Sequence, residues 1–249
     1  MNKTNAELGE NKEEIQNIVM NPKKLYKFRA LEDGNNLERI KDIIVGDGFY
    51  CTDFLGFNDM NEGVYSHNAS NKDIEIDNKL EYKICSFSEE GALSSELMWG
   101  HYANAGKGIA IETTVKNWDD LHKVDYENGN DNLNDIESIL TRKSTNWEYE
   151  EEWRYLKKSN EQCIKLGCIS KIYFGMPYQH LNNYNAIQKK SNTLKRYLKL
   201  KKELEIFCER EGIECVDYDF KKLQILKKKS VLEKVSASVH SIDWIGENN

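Results

Sequence analysis

Long apolar runs are missing from this chain of 249 residues. No segment reaches the roughly 20 apolar residues that a membrane-spanning helix needs. The opening Met-Asn-Lys-Thr lacks the apolar core of a secretory signal peptide. The six cysteines include no Cys-x-x-Cys spacing, which argues against a structural zinc site. These absences predict a cytoplasmic protein with reduced thiols, no membrane partner and no bound metal.

Internal repeats and low-complexity linkers are missing as well. The hydrophobic content of 39% and charged content of 31% are typical of an ordinary soluble domain. We therefore predict a single domain over residues 23–229, with an N-terminal helical arm over 1–22 and a C-terminal tail or short helix over 230–249. Pro22 ends the arm, because proline cannot continue a helix. The net charge of -7 argues against a protein that mainly coats nucleic acid.

Short alternating segments predict strands, and they are mixed with a few helical patterns. Because strands and helices do not alternate regularly, the pattern indicates a mixed α+β domain and not a βαβ protein. The clearest strands are predicted at Leu25–Arg29, Tyr82–Ser88, Ile109–Glu112 and Tyr149–Leu156, and the longest helix at 191–210.

Four glutamates fall within five positions between Trp147 and Trp153. On a strand, alternate side chains share a face, so Glu150, Glu152 and Arg154 are expected on one side and the aromatic residues on the other. Two carboxylates about 7 Å apart on one face repel each other, and one of them can have a raised pKa. The alternative is a solvated strand face with an ion pair to Arg154.

Two other short segments carry polar side chains on predicted strands. Ser86 and Ser88 share one strand face, and Arg29 ends an apolar strand, where an unpaired guanidinium is costly. In chain order the motifs are Arg, Ser-x-Ser and Glu-x-Glu. This ordered trio resembles the signature of the ADP-ribosyltransferases related to cholera toxin and C3 exoenzyme.

That resemblance implies a split or strongly bent mixed sheet and NAD as the substrate. Arg29 is expected to hold the NAD phosphates or ribose, and Ser86 and Ser88 to brace the nicotinamide pocket. Glu152 is expected to bond a ribose hydroxyl and stabilise the cationic sugar, and Glu150 to orient or deprotonate the acceptor. The acceptor, a protein or a nucleic acid, is unknown, and water in its place would make the chain an NAD glycohydrolase.

A second resemblance covers the chain from about Leu25 to Lys228. The motifs are similar to those of a bacterial family known as domain of unknown function 2971. The family's loop usually reads Asn-Asp-Pro-Phe-Glu, whereas residues 58–62 read Asn-Asp-Met-Asn-Glu, which leaves the role of Glu62 open. The matching segments are Leu25–Arg29, Phe57–Asp59, Cys85–Ser88, Leu97–Ala103 with Gly108, Trp147 with Tyr149–Arg154, and Ile172–Gly175.

Tyr26 and His101 are two further candidates for contact with the cofactor. Tyr26 is expected either to stack on a ring of NAD or to pack in the core. His101 is expected either to donate a hydrogen bond into the site or to be a packing histidine. Bacterial transferases of this kind commonly act as toxins or in phage defence, so the resemblance implies such a setting.

Two functions of other classes stay open. The first is a non-enzymatic module that binds a nucleotide or a protein in the same site. The second is a metal-dependent nuclease, in which Glu150 and Glu152 would hold Mg²⁺. The nuclease is disfavoured because the Lys and Asp that usually complete such a site are not placed nearby in the sequence.

Overall fold

A computed structural model describes residues 24–46, 48–59, 61–63, 76–127 and 135–219. The predicted arm over 1–22 and the predicted tail over 230–249 lie outside the described residues. The described part contains eleven strands and several helices. Seven of the strands form one sheet. The predicted combination of a mixed sheet with helices is therefore confirmed.

The strands are short. They are β1 (Lys24–Ala30), β2 (Phe49–Tyr50), β3 (Tyr82–Ser88), β4 (Gly108–Val115), β5 (Leu121–Lys123), β6 (Asp125–Tyr126), β7 (Arg142–Lys143), β8 (Glu152–Lys158), β9 (Cys163–Ile164), β10 (Gly167–Phe174) and β11 (Glu214–Asp217).

The helices vary more in length. The α-helices are α1 (Gly34–Val45), α2 (Ile76–Leu80), α3 (Glu96–Tyr102), α4 (Ile136–Leu140), α5 (Tyr184–Lys190) and α6 (Asn192–Glu211), and 3₁₀ helices span Phe54–Gly56, Glu90–Ser94 and Thr145–Glu150.

The main sheet has the strand order β11-β10-β4-β1-β3-β8-β5. All neighbouring strands in it are antiparallel except β10 and β11, which are parallel. Two small two-stranded sheets, β2-β9 and β6-β7, complete the pairing. The strands β1, β3 and β8, which contain Arg29, the two serines and Glu152, are therefore consecutive in this sheet, with β3 in the middle.

The sheet opens between β1 and β3. β1 pairs with β4 along its whole length, but it meets β3 in register only where Tyr26 lies opposite Ser88. Further along, the edge of β3 is taken by Thr52, whose backbone exchanges two hydrogen bonds with Ile84, of 2.9 and 2.7 Å. The divergence of β1 and β3 leaves a cleft between two strands of the same sheet.

Alternate side chains of β1 enter two different apolar clusters. Leu25 belongs to a large cluster that includes Ile40 of α1 and Leu204 of α6. Tyr26 and Phe28 belong to a second cluster on the other side. Each buried apolar side chain stabilises the fold by about 1.5–3 kcal/mol relative to an exposed one. Apolar packing therefore stabilises both faces of the sheet, including the strand β1 that lines the cleft.

The long helix α6 covers one side of the sheet. Ser191 caps its first turn by accepting a hydrogen bond from the backbone N–H of Leu194, and Gly212 ends it in the left-handed conformation at φ 72°. Its buried residues include Leu194, Tyr197 and Leu204, which recur at the spacing of one helical face. This matches the helix predicted at 191–210.

Candidate functional site

A cavity of about 550 Å³ lies in the cleft between β1 and β3. Its size is in the range of about 300–1,000 Å³ that is usual for small-molecule sites. All the residues singled out in the sequence line it: Tyr26, Arg29, Ser86, Ser88, His101, Glu150 and Glu152.

The middle of the cavity is built by a row of side chains across three strands. Ser88 of β3 lies opposite Tyr26 of β1 on one side and opposite Glu152 of β8 on the other. Directly opposed residues share a face of a sheet. The strand pairing therefore places Ser88 beside Glu152.

The glutamate pair does not lie on one continuous strand. The prediction of a strand from Tyr149 is wrong, because Thr145–Glu150 forms a 3₁₀ helix and β8 begins only at Glu152. Glu151 between them adopts φ 44°, a left-handed conformation, and its N–H donates to the carbonyl of Glu148. This tight turn, and not strand alternation, brings the side chains of Glu150 and Glu152 to the same place.

Lys143 of β7 joins the two glutamates. Its Nζ atom lies 2.6 Å from Oε2 of Glu150 and 3.1 Å from Oε2 of Glu152. All three side chains are at most 5% exposed. No local pattern in the sequence identifies Lys143, because it reaches the pair only through the turn that follows β7.

Arg154 compensates the other side of Glu152. Its guanidinium donates to Glu152 (Nε to Oε1, 2.9 Å) and forms a two-pronged pair with Glu62 (Nη1 to Oε1, 2.5 Å; Nη2 to Oε2, 3.0 Å). It also donates to the carbonyl of Leu140. Glu62, whose role the sequence left open, is thus the buried partner of Arg154. We call Glu62, Glu150, Glu152, Lys143 and Arg154 the carboxylate cluster.

The pKa values of the carboxylate cluster move apart. Burial alone raises the pKa of Glu152, but the charges of Arg154 and Lys143 more than offset burial and hold it at about 2. Burial dominates at Glu150 and at Glu62, and it raises the pKa of both carboxyls. Two carboxyls with pKa values shifted in opposite directions suit different roles in acid–base chemistry.

Glu150 is also held by a side chain from α3. The hydroxyl of Tyr102 donates to Oε1 of Glu150 at 2.5 Å, and Asn58 donates to the same hydroxyl at 3.0 Å. His101 lies within hydrogen-bond distance of the Tyr149 hydroxyl, with 3.0 Å between Nδ1 and the oxygen. His101 therefore has a partner at the edge of the cavity, and Tyr102 is the closer contact to the glutamate pair.

The β1 side of the cavity has the opposite character. Lys27 and Arg29 both line it, and neither forms an ion pair with a carboxylate of the described residues. Lys27 Nζ donates to the carbonyl of Ser86 at 2.6 Å, and burial lowers its pKa. Among the described residues, no acceptor reaches the buried Nε of Arg29. We call Lys27 and Arg29 the cationic pair.

Ser86 lies between the two regions. Its buried Oγ makes no hydrogen bond of normal geometry within the described part of the chain. It is nevertheless close enough to Glu152 to help lower the pKa of that carboxyl. Tyr26 does not need a ring of a ligand as its partner, because it is buried and its hydroxyl donates to Glu112 at 3.1 Å.

The reason for disfavouring a metal-dependent nuclease was wrong in one respect. A lysine does lie beside the glutamate pair, since Lys143 contacts both carboxylates. In the described ranges, however, no three His, Cys, Asp or Glu side chains are grouped so as to hold a metal ion. Lys143 and Arg154 already compensate the charge that a cation would neutralise.

Comparisons with known proteins add no family to this picture. No family model, curated protein or solved structure matches the chain. None of the helices among the described residues is both long and apolar enough to cross a membrane. Function therefore has to be inferred from the geometry and charges of the cavity.

Proposed function

We propose that the chain is an NAD-dependent ADP-ribosyltransferase, with NAD glycohydrolase activity as the variant in which water is the acceptor. The observation that carries the proposal is the division of charge within one cavity. The cationic pair lies on the β1 side without an ion pair to any described carboxylate, and the glutamates with oppositely shifted pKa values lie on the β8 side. NAD has the complementary parts: a negative diphosphate and a positively charged nicotinamide on its ribose.

The cationic pair would hold the diphosphate of NAD. A guanidinium binds phosphate oxygens through two parallel N–H groups, and an ammonium adds a compact charge. Lys27 and Arg29 are partly buried and have no carboxylate partner among the described residues, so each would gain an ion pair when an anion enters the cavity.

Glu152 would act on the ribose. Its carboxylate accepts three hydrogen bonds, two from Arg154 and one from Lys143. A carboxylate offers about four acceptor positions, and a ribose hydroxyl would compete with the nearby Ser86 hydroxyl for the fourth. Because its pKa of about 2 keeps Glu152 ionised near neutral pH, its negative charge would stabilise the cationic sugar.

The reaction would transfer the ADP-ribose from nicotinamide to the acceptor. The bond between ribose C1 and the nicotinamide nitrogen breaks, and its electron pair leaves with neutral nicotinamide. The acceptor then forms a bond to C1 and gives up a proton. Glu150 would receive that proton, because its raised pKa makes it the better base of the two glutamates.

The arrangement of strands also supports the resemblance of the Arg, Ser-x-Ser and Glu-x-Glu trio to the ADP-ribosyltransferases. Arg29 lies on β1, Ser86 and Ser88 lie on β3, and Glu152 begins β8, with Glu150 in the 3₁₀ helix just before it. The sheet opens between β1 and β3. We therefore extend the proposal to an ADP-ribosyltransferase-like fold in the bacterial family of domain of unknown function 2971. A role as a toxin or in phage defence, in the cytoplasm, would follow from the transferase chemistry.

A non-enzymatic module that binds a nucleotide or a protein is the second candidate. It is favoured by the tight compensation of Glu152, which has two cationic partners and is 2% exposed. Buried ion networks that only support a fold also shift pKa values. Such a module would bind NAD or another nucleotide through the cationic pair without turnover.

The test is the release of free nicotinamide from NAD by the purified protein. We expect release by the wild type and a loss of about 100-fold or more in Glu150→Gln, because general-base groups contribute about 10²–10⁴ in rate. Glu150→Gln leaves Lys143 paired with Glu152, so its fold should persist. Glu148→Gln is the matched control, since Glu148 is exposed in the same segment.

Glu152→Gln needs a stability measurement beside the activity assay. The substitution is close in size, but it weakens two ion pairs, so some loss of activity would come from loss of fold. NAD binding without nicotinamide release, in the presence of a cell extract as acceptor source, would favour the binding module. Absence of NAD binding by the folded wild type would overturn the transferase proposal and leave the binding module with a ligand other than NAD.

A further inference from the structure

Two cysteines face each other in the wall of the cavity. Thr52 and Ile84 exchange both backbone hydrogen bonds, so they form a hydrogen-bonded antiparallel pair. Cys51 precedes Thr52 and Cys85 follows Ile84, so in this antiparallel pairing the two cysteines oppose each other at the adjacent, non-hydrogen-bonded position. At such positions the Cα atoms are about 4.5 Å apart, within the range of about 4.4–6.8 Å that a disulfide spans.

The surroundings keep both thiols in place and give small molecules access to one of them. Cys51 and Cys85 are 1% and 2% exposed and belong to the same apolar cluster as Phe49 and Phe87. The thiol of Cys51 donates weakly to the carbonyl of Phe49. Cys85 lines the cavity, so a reagent that enters the cavity reaches Cys85 first.

The cationic pair makes the two thiols chemically unequal. Burial raises the pKa of Cys85, but a hydrogen bond from Cys51 and the charges of Lys27 and Arg29 lower it below its ordinary value. The hydrogen bond to Cys85, together with burial, raises the pKa of Cys51. Cys85 is therefore the better nucleophile, because the thiolate is the reactive form.

We propose that Cys51 and Cys85 form a redox modification site, which a small peroxide entering the cavity converts to a disulfide. The thiolate of Cys85 attacks one peroxide oxygen, the O–O bond breaks, and hydroxide leaves, giving a sulfenic acid. The sulfur of Cys51 then attacks the sulfur of Cys85, and its proton leaves with the hydroxyl as water. In total two thiols are oxidised and one hydrogen peroxide is reduced to two waters.

The other cysteines provide controls within the same chain. Cys163 and Cys168 are exposed, so they report oxidation that depends only on access. Cys208 and Cys215 are also neighbours, joined by a hydrogen bond between the end of α6 and β11, but neither lines the cavity. A disulfide that depends on the cavity and its cations should form at Cys51 and Cys85 before it forms at Cys208 and Cys215.

The test treats the reduced full-length protein with hydrogen peroxide and maps the cross-linked peptides by mass spectrometry over time. We expect the Cys51–Cys85 disulfide to form, and Lys27→Met to slow its formation, because removing the ammonium raises the pKa of Cys85 and lowers its thiolate fraction. In Cys51→Ser, the sulfenic acid of Cys85 should be trapped by dimedone. Oxidation of Cys163 and Cys168 in the wild type with no Cys51–Cys85 cross-link would overturn the proposal.

Discussion

On the β8 side of the cavity, every buried charge has a partner of opposite sign, whereas on the β1 side two cations have none among the described carboxylates. Glu152 lies between Lys143 and Arg154, and Glu62 completes the group. Lys27 has a backbone carbonyl as its acceptor, and the Nε of Arg29 has none in the described part of the chain. Two neighbouring regions of one cavity thus treat buried charge in opposite ways.

The difference separates groups that the fold needs from groups that a ligand needs. A paired buried charge becomes costly when its partner is removed, so the carboxylate cluster resists change. Removing a cation that has no carboxylate partner leaves no carboxylate unpaired, so the fold should lose less than when a member of the carboxylate cluster is removed. Lys27 has one structural contact, its hydrogen bond to the carbonyl of Ser86, and neither cation compensates a described carboxylate, so both remain able to pair with an anionic ligand.

Arg154→Met should destabilise the carboxylate cluster and produce the largest loss of stability. The variant leaves Glu62 and Glu152 buried without the guanidinium, and removing one partner of a buried pair costs about 3–5 kcal/mol. We expect the free energy of unfolding, measured with urea, to fall by that amount. Lys157→Met on the same strand is the control, because its ion pair with Asp120 lies at the surface and should contribute little. Equal losses in the two variants would contradict the distinction between buried and surface pairs.

Lys27→Met and Arg29→Met should reduce the binding of an anion more than they reduce stability. A hydrogen bond to a charged group contributes about 1.5–3 kcal/mol, so each variant should bind pyrophosphate about 10–100-fold more weakly by calorimetry. Arg39→Met, an exposed arginine of α1, is the control and should bind as the wild type does. If the two cavity variants bind pyrophosphate normally but unfold more easily, the cationic pair is structural.

Acid should gradually reduce the contribution of the carboxylate cluster to stability. The pKa of Glu152 falls from an ordinary 4.5 to about 2 in the folded chain. Between these values the unfolded chain binds the extra proton, so stability is lost as the pH falls from 4.5 toward 2, by at most about 1.4 kcal/mol per pH unit. The raised pKa values of Glu62 and Glu150 act in the opposite sense, because they favour proton binding in the folded state. The Glu152 contribution is therefore the difference between urea curves of the wild type and Glu152→Gln, and a difference that does not change over this pH range would contradict it.

Part of the site could be read from local patterns in the sequence. Alternation predicted the strands that became β1 and β3, and it placed Ser86 and Ser88 on one face. The same rule failed at Tyr149–Glu151, because a capped 3₁₀ turn and a left-handed residue replaced the strand there. Alternation describes an extended chain only, and nothing in the run of glutamates signals the turn.

The sequence by itself determined the short strands, the amphipathic helix α6 and the identity of the Arg, Ser-x-Ser and Glu-x-Glu residues, because periodicity and residue type are local properties. Only the tertiary structure decided that Lys143 joins the glutamates, that Arg154 pairs with Glu62, and that Cys51 opposes Cys85. These contacts join residues from separate strands and loops, and their geometry depends on where β1 and β3 diverge. Charge compensation in a buried cavity depends on such long-range contacts, because a charge in a low-dielectric interior is costly unless the fold brings a partner to it.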